Sequence, residues 1–197
     1  MEFMDVVVAR KSVRSYADKP VEEEKLSKVL EAARLAPSWA NKQCCKYIVV
    51  KDKTKIQELA GGFNGWLKQA PVIVVACADP KDSGAHDGMD YYLVDVGISM
   101  QQLVLAATDV ELGTCWIGAF DQAKIKKTLE IPENIKVVAM TPVGYPADKE
   151  GLGNKLRKTL VGGGKRKPLA EIFTKKNGEA AFCFYVMRCS KDSSAAR

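Results

Sequence analysis

The chain has 197 residues, 47% of them apolar, and a formal net charge of +6. That length suits one domain with a sizeable core, and the longest uncharged apolar run, "APVIVVACA" (70 to 78), falls far short of the about 20 residues that span a bilayer. With an acid in "MEFMDVV", where a signal peptide would be basic, the expectation is a soluble, cytoplasmic protein with no membrane partner.

The first stretch that asks for a ligand is "VVARKSVRSY" (7 to 16), where Arg10, Lys11 and Arg14 surround Ser12 and Ser15. In an extended segment side chains two apart share a face, so Arg10, Ser12 and Arg14 line up while Val13 turns inward. Guanidinium forks beside a hydroxyl make a cradle for an anion. The plainer alternative is a solvated basic face, with Arg14 paired to a surface acid.

"PVEEEKLSKVLEAARLAP" (20 to 37) reads as an amphipathic helix, with Leu26, Val29, Leu30 and Ala33 at helical spacing and Pro37 as its stop. "SWANKQCC" (38 to 45) is turn-like, with Trp39 open to packing or to stacking on a ligand, and "KYIVVKD" (46 to 52) reads as a strand. "PVIVVACAD" (71 to 79) is apolar on both faces and reads as the central strand of a sheet. His86, the only histidine, has no second ligand at metal spacing, so neither a metal site nor a Ser-His or Cys-His nucleophile is expected.

From 91 to 108, "YYLVDVGISMQQLVLAAT" is apolar on nearly every side of a 3.6-residue repeat, with Asp95 its lone charge. Such a helix is buried in a core or covered by a second chain, and in a chain this short a partner subunit is the economical cover. Asp121 is placed to cap a helix in "DQAKIKKTLEIP" (121 to 132), and "IKVVAMTPVGYP" and "AAFCFYVMRC" (180 to 189) read as strands. Trp116 and Phe120 read as core or dimer interface, and Cys115 as an inert small hydrophobe. The cysteines at 44, 45, 77, 115, 183 and 189 form no C-x-x-C pair and read as reduced, mostly buried thiols. Adjacent Cys44 and Cys45 read as two small half-buried side chains in preference to a strained disulfide.

The segment 149 to 167 holds Lys149, Lys155, Arg157, Lys158, Lys165, Arg166 and Lys167 against one acid, Glu150, and reads as a basic mobile loop; 190 to 197 reads as a disordered tail. No nucleic-acid motif accompanies the charge, so a small anionic ligand is expected and nucleic acid is not. "GGGKR" lacks the remaining residues of a P-loop, and "LGTCWIG" (112 to 118) does not open a helix as a dinucleotide fingerprint would. Strands and helices alternate without a regular βαβ series, which favours an α+β sandwich.

Five stretches in order, "ARKSVRSYADKPV", "EAARLAPSWANKQ", "LGTCWIGAF", "PVGYP" and "KRKPLAEI", make the chain resemble the flavin (FMN)-dependent nitroreductase family from about residue 4 to residue 187. The resemblance implies an α/β/α sandwich with a mixed, mainly antiparallel sheet, a single domain over 1 to 197, and an intertwined homodimer with FMN sites at its interface. By position it implies that Arg10 and Ser12, with Lys11 nearby, hold the FMN phosphate and that Arg14 lies toward the pyrimidine edge of the ring. Pro37, Ser38 and Asn41 would reach the flavin from the other subunit, and Asn64 would make a polar contact to the ring. Backbone N–H groups of Gly118 and Ala119 would face flavin N5, while Arg166 and either Lys165 or Lys167 would complete the phosphate contact.

The activity so implied is hydride transfer from NAD(P)H through FMN to nitroaromatics, quinones or similar small acceptors in a ping-pong sequence, with no catalytic side chain because the flavin carries the chemistry. The alternative is a flavin-binding or flavin-modifying protein of the same fold without productive NAD(P)H turnover. Two departures bear on this: many relatives read Gln-Pro-Trp where this chain has "QCC" (43 to 45), and Gly-Leu-Gly where it has "ELG" (111 to 113). The first puts local packing in question and the second the conformation of the flavin loop.

Overall fold

Strand β2 (Val72–Ala78) organises the fold, because all seven of its residues are buried. The computed structural model describes residues 1–148, 166–168 and 172. The chain divides into two units, Met1–Lys155 and Leu156–Arg197, and the architecture below is that of the first. The strand expected at 180 to 189, the tail at 190 to 197, and the loop from 149 to 167 apart from Arg166 and Lys167 lie outside the described residues.

β2 pairs antiparallel with β1 (Cys45–Val50) on one side and β6 (Lys136–Gly144) on the other, and short β5 (Gly113–Thr114) extends the sheet beyond β6. Side chains alternate along β2, so Val72, Val74, Ala76 and Ala78 enter one core. There they meet Leu26, Val29 and Ala33 of α2 (Glu23–Arg34) and Val96, Met100 and Leu103 of α4 (Tyr91–Asp109). Ile73, Val75 and Cys77 enter a second core with Ile56 and Leu59 of α3 (Lys53–Leu59) and Ile125 of α5 (Gln122–Leu129). Helices on both faces of the sheet make the expected α/β/α sandwich and explain why the 71 to 79 run has no polar face. Each fully buried Val or Ile is worth about 1.5 to 3 kcal/mol, more than a net backbone hydrogen bond, so the two cores and not the ladder fix β2 at the centre.

The helices follow their sequence signals. Pro37 lies beyond the end of α2, whose Arg34 turns back onto Glu31 at 2.6 and 2.7 Å. Asp121 caps α5 by accepting the Lys124 N–H at 3.1 Å, and Asp52 caps α3 from Lys55 N–H at 2.8 Å. α4 buries Asp95, Val96, Ser99, Met100, Leu103, Val104 and Ala107, and its Ser99 hydroxyl donates to Ala33 O at 2.6 Å. Its other face stays apolar and open: Leu93 is 50%, Val94 39% and Ile98 38% exposed. α1 (Phe3–Ala9), which packs on α4, adds exposed Phe3, Met4 and Val8. Among the described residues no helix is long and apolar enough to cross a membrane.

Candidate functional site

The basic stretch runs outward from the end of α1. Arg10 donates its N–H to Val6 O at 3.0 Å, after which the chain extends beside β5, with Val13 N–H on Thr114 O at 2.8 Å and a parallel bridge from Ser12 to Thr114. That bridge makes the otherwise antiparallel sheet mixed. Further along, Ala17 N–H bonds Tyr145 O at 2.9 Å and Ala147 N–H bonds Ser15 O at 3.0 Å. Val13 turns inward as expected, and Arg10, Ser12 and Arg14 are half-buried, but strict alternation is not kept: Lys11 is exposed and Tyr16, in step with the arginines, is buried.

Gly113 is what allows this approach. A Cβ built there would lie 2.8 Å from the Val13 Cβ, so any side chain would push the basic segment off β5. Tyr16 closes the segment from behind, donating its hydroxyl to Val13 O at 2.8 Å and stacking on Trp66 at 6.4 Å. Burial pushes the Tyr16 hydroxyl well above its usual range, which keeps it a donor there.

β5 leads into a loop pinned by Cys115 N–H on Thr141 Oγ1 at 3.1 Å and by two bonds between Ile117 and Met140 at 2.9 and 3.0 Å. Gly118 and Ala119 then emerge exposed, and among the described residues their N–H groups have no hydrogen-bond acceptor. Asn64, which the sequence assigns to the same site, donates Nδ2 to Ala119 O at 2.7 Å. Its amide thus holds the loop, and Oδ1 is the polar atom left to face a ligand.

The nitroreductase family model matches residues 7–61 and 58–145. The chain belongs to the nitroreductase family. It is 34% identical over 180 residues to the FMN reductase [NAD(P)H] of Bacillus subtilis, which covers 81% of this chain and 72% of that protein. Its fold matches a nitroreductase family protein of Clostridium novyi NT with a TM-score of 0.73 and 40% identity, over 75% of this chain and 87% of that one. An FMN-dependent nitroreductase of Clostridium difficile R20291 matches with a TM-score of 0.68 and 29% identity, over 79% and 95% of the two chains.

Within this nitroreductase fold the other assigned residues stand elsewhere. Pro37 and Asn41 are exposed and Ser38 half-buried in a turn around the 3-10 segment Trp39–Asn41, anchored to Asp95 near the start of α4. The basic segment is anchored at Gly113, just past the end of α4, where Leu112 N–H closes on Ala107 O at 2.8 Å. From Asp95 to Asp109 the helix spans about 20 Å, so the two groups are fixed near opposite ends of one rod. Arg166 and Lys167 are exposed in the second unit, and Lys165 lies outside the described residues.

The two departures are also resolved. Glu111 adopts φ 66°, the left-handed conformation that glycine takes without strain, so the turn after α4 keeps its shape. Cys44 is fully buried, more than expected, and its thiol donates to Asp95 Oδ2 at 3.5 Å. Cys45 is half-buried, with burial pushing its thiol up to about 12; Cys44, Cys45 and Cys77 are free thiols. Trp39 is a packing residue: it stacks on Tyr91 at 5.4 Å and leaves room at position 84 only for glycine. Trp116 is not core, being 42% exposed, because Ile117 takes the inward position on the strand-like bridge to Met140. His86 sits exposed in the hairpin of β3 (Ala85–His86) and β4 (Met89–Asp90), and no group of metal-ligating side chains occurs among the described residues.

Sequence reasoning missed Asp95 and Gly113 as parts of the site. For Asp95 the signal was present, a single charge in an otherwise apolar helix; for Gly113 the reason is a contact with a residue 100 positions earlier, which no local pattern carries.

Proposed function

We propose that this chain is an FMN-dependent NAD(P)H oxidoreductase that works as a cytoplasmic homodimer on nitroaromatics, quinones or similar small acceptors, with 1 to 197 forming one FMN-binding domain. The observation that carries the reading is that half-buried Arg10, Ser12 and Arg14 run beside β5, which leads into a loop where, among the described residues, the exposed Gly118 and Ala119 N–H groups have no acceptor. The Arg10 guanidinium and the Ser12 hydroxyl suit a phosphate monoester, the Arg14 guanidinium suits the ring edge that gains negative charge, and backbone donors suit the electron-rich edge of a flavin, so the residues present fit FMN. The Bacillus and Clostridium difficile relatives, whose names include FMN, support the same cofactor.

When bound, FMN would supply the two-electron hydride chemistry between NAD(P)H and the acceptor. Around it the chain binds and orients. Arg10 and Ser12, with Lys11 nearby, would hold the phosphate, the contact to which the sequence resemblance also assigns Arg166 and either Lys165 or Lys167. Arg14 would set a positive charge toward the pyrimidine edge of the ring, where negative charge collects, and Gly118, Ala119 and Asn64 would help to hold the ring. No side-chain acid, nucleophile or metal is required. Donor and acceptor occupy the same place in turn, which makes the kinetics ping-pong.

The homodimer is supported by two features. The open apolar face of α4 and α1 needs cover, and Pro37, Ser38 and Asn41 stand about 20 Å of helix away from the basic segment, so they reach a flavin held by the partner subunit. The test begins with heat release of the bound flavin and its chromatography; FMN is expected, and FAD, or no flavin from folded protein given excess FMN, would overturn the reading. Anaerobic NADH or NADPH should then bleach the flavin band rapidly. A flavoprotein that does not bleach is a carrier or flavin-modifying protein instead.

A further inference from the structure

We propose that Asp95 is the positioning residue of the flavin site, holding the 38 to 44 turn in the one shape in which Ser38 and Asn41 can meet the partner's flavin. The proposal rests on the reading above that this turn reaches a flavin. Asp95 is 1% exposed, and its two oxygens grip the turn at both ends: Oδ1 accepts the Trp39 N–H at 2.8 Å and Oδ2 the Cys44 thiol at 3.5 Å. Between these anchors the backbone is strained. Ala40, Asn41 and Gln43 have φ of 47°, 53° and 53°, a conformation that each non-glycine residue adopts only against a cost.

Trp39 also stacks on Tyr91 at 5.4 Å, but the remaining hydrogen bonds of the turn are exposed. Ser38 Oγ accepts the Gln43 N–H at 2.9 Å and Gln43 Nε2 donates to Asn41 Oδ1 at 3.2 Å, both in exposed positions. So the residues that would touch flavin belong to a small hydrogen-bonded ring that, among the described residues, is tied by hydrogen bonds to one buried side chain, Asp95. Among the described residues Asp95 forms no salt bridge, and both of its oxygens are taken up by the turn. Burial raises the Cys44 thiol, which keeps that side chain a donor toward the carboxylate. Leu93 and Val94, the two residues before Asp95, are exposed on the apolar face assigned to the partner. The carboxylate therefore fixes the turn at the point where α4 passes into that interface.

FMN titration of flavin-free dimer, with hydrogen exchange as a second readout, tests this. Asp95→Ala should weaken FMN about tenfold and speed exchange of the Trp39 and Gln43 amides while β2 stays protected. Asp95→Asn keeps an acceptor for the Trp39 N–H and should restore affinity to within about threefold of the parent. A merely structural role would lower thermal stability in both variants and leave FMN affinity alone, and that result overturns the proposal. If Asp95→Ala does not fold, Cys44→Ala decides: about three- to fivefold weaker FMN is expected and unchanged affinity overturns it. The combined Ser38→Ala and Asn41→Ala variant separates the two levels. If it loses affinity while Asp95→Ala does not, positioning fails and the flavin reading stands; if neither loses affinity, the turn does not reach flavin at all.

Discussion

The two ends of α4 hold the proposed site by opposite means. At the C-terminal end the Arg10 to Arg14 segment has no residue at positive φ, is bonded to β5 and is backed by Val13 against Gly113. At the N-terminal end the turn around Asn41 has three residues at positive φ and hangs on one buried carboxylate. The first is a rigid grip suited to binding energy; the second is a strained cap suited to orientation. Strain of this kind persists only where the surroundings over-determine it, so the cap should be the more sensitive to distant change.

The largest expected effect comes from parting the two ends. Ile98→Asp places a charge on the open face of α4 and should give a monomer by sedimentation that no longer retains flavin; a monomer with full flavin occupancy would contradict the shared site. Next, Arg10→Ala removes a charge-assisted bond worth about 1.5 to 3 kcal/mol, so FMN affinity should fall roughly ten- to a hundredfold in a fluorescence titration. Turnover at saturating FMN should change little, since the grip binds phosphate and not the reacting ring.

Arg14→Ala sharpens the contrast inside the grip. With its charge beside the ring, reduced flavin should be weakened about tenfold more than oxidised flavin, lowering the midpoint potential by about 30 mV in a spectroelectrochemical titration. Equal loss for both redox states would make Arg14 a second phosphate ligand. The smallest effect lies at Glu111, whose left-handed backbone costs about 1 kcal/mol; Glu111→Gly should raise Tm by about 2 to 4 °C with FMN affinity unchanged. Its ion pair with Lys25, 3.8 Å long on an exposed carboxylate, is too weak to reverse that sign.

The same contrast explains what could be read from the sequence. The inward turn of Val13 was legible because charge and spacing are local: it stands between Ser12 and Arg14 in a basic stretch, and it is buried while they are half-buried. β2 and α2 were legible for a similar reason, seven apolar residues in a row and a helical stripe ending at a proline. The cap was legible only as a turn. Its shape depends on a carboxylate 56 positions from Trp39, and "SWANKQCC" gives no sign that three of its residues take positive φ. α1 and α3 went unread because each has seven residues, too few for a periodic pattern to stand out from its flanks.

Complementation between two defective chains tests the shared site most directly. One carries Arg10→Ala, the other Ser38→Ala with Asn41→Ala; each alone should bind FMN weakly. Dissociated and reassembled in equal amounts, half of the dimers are mixed, and each mixed dimer has one site with an intact grip from one subunit and an intact cap from the other. Tight FMN binding should therefore return to about one protomer in four. If grip and cap serve a flavin within a single subunit, the mixture restores no tight site, and the assignment of the two ends of α4 to one shared flavin is wrong.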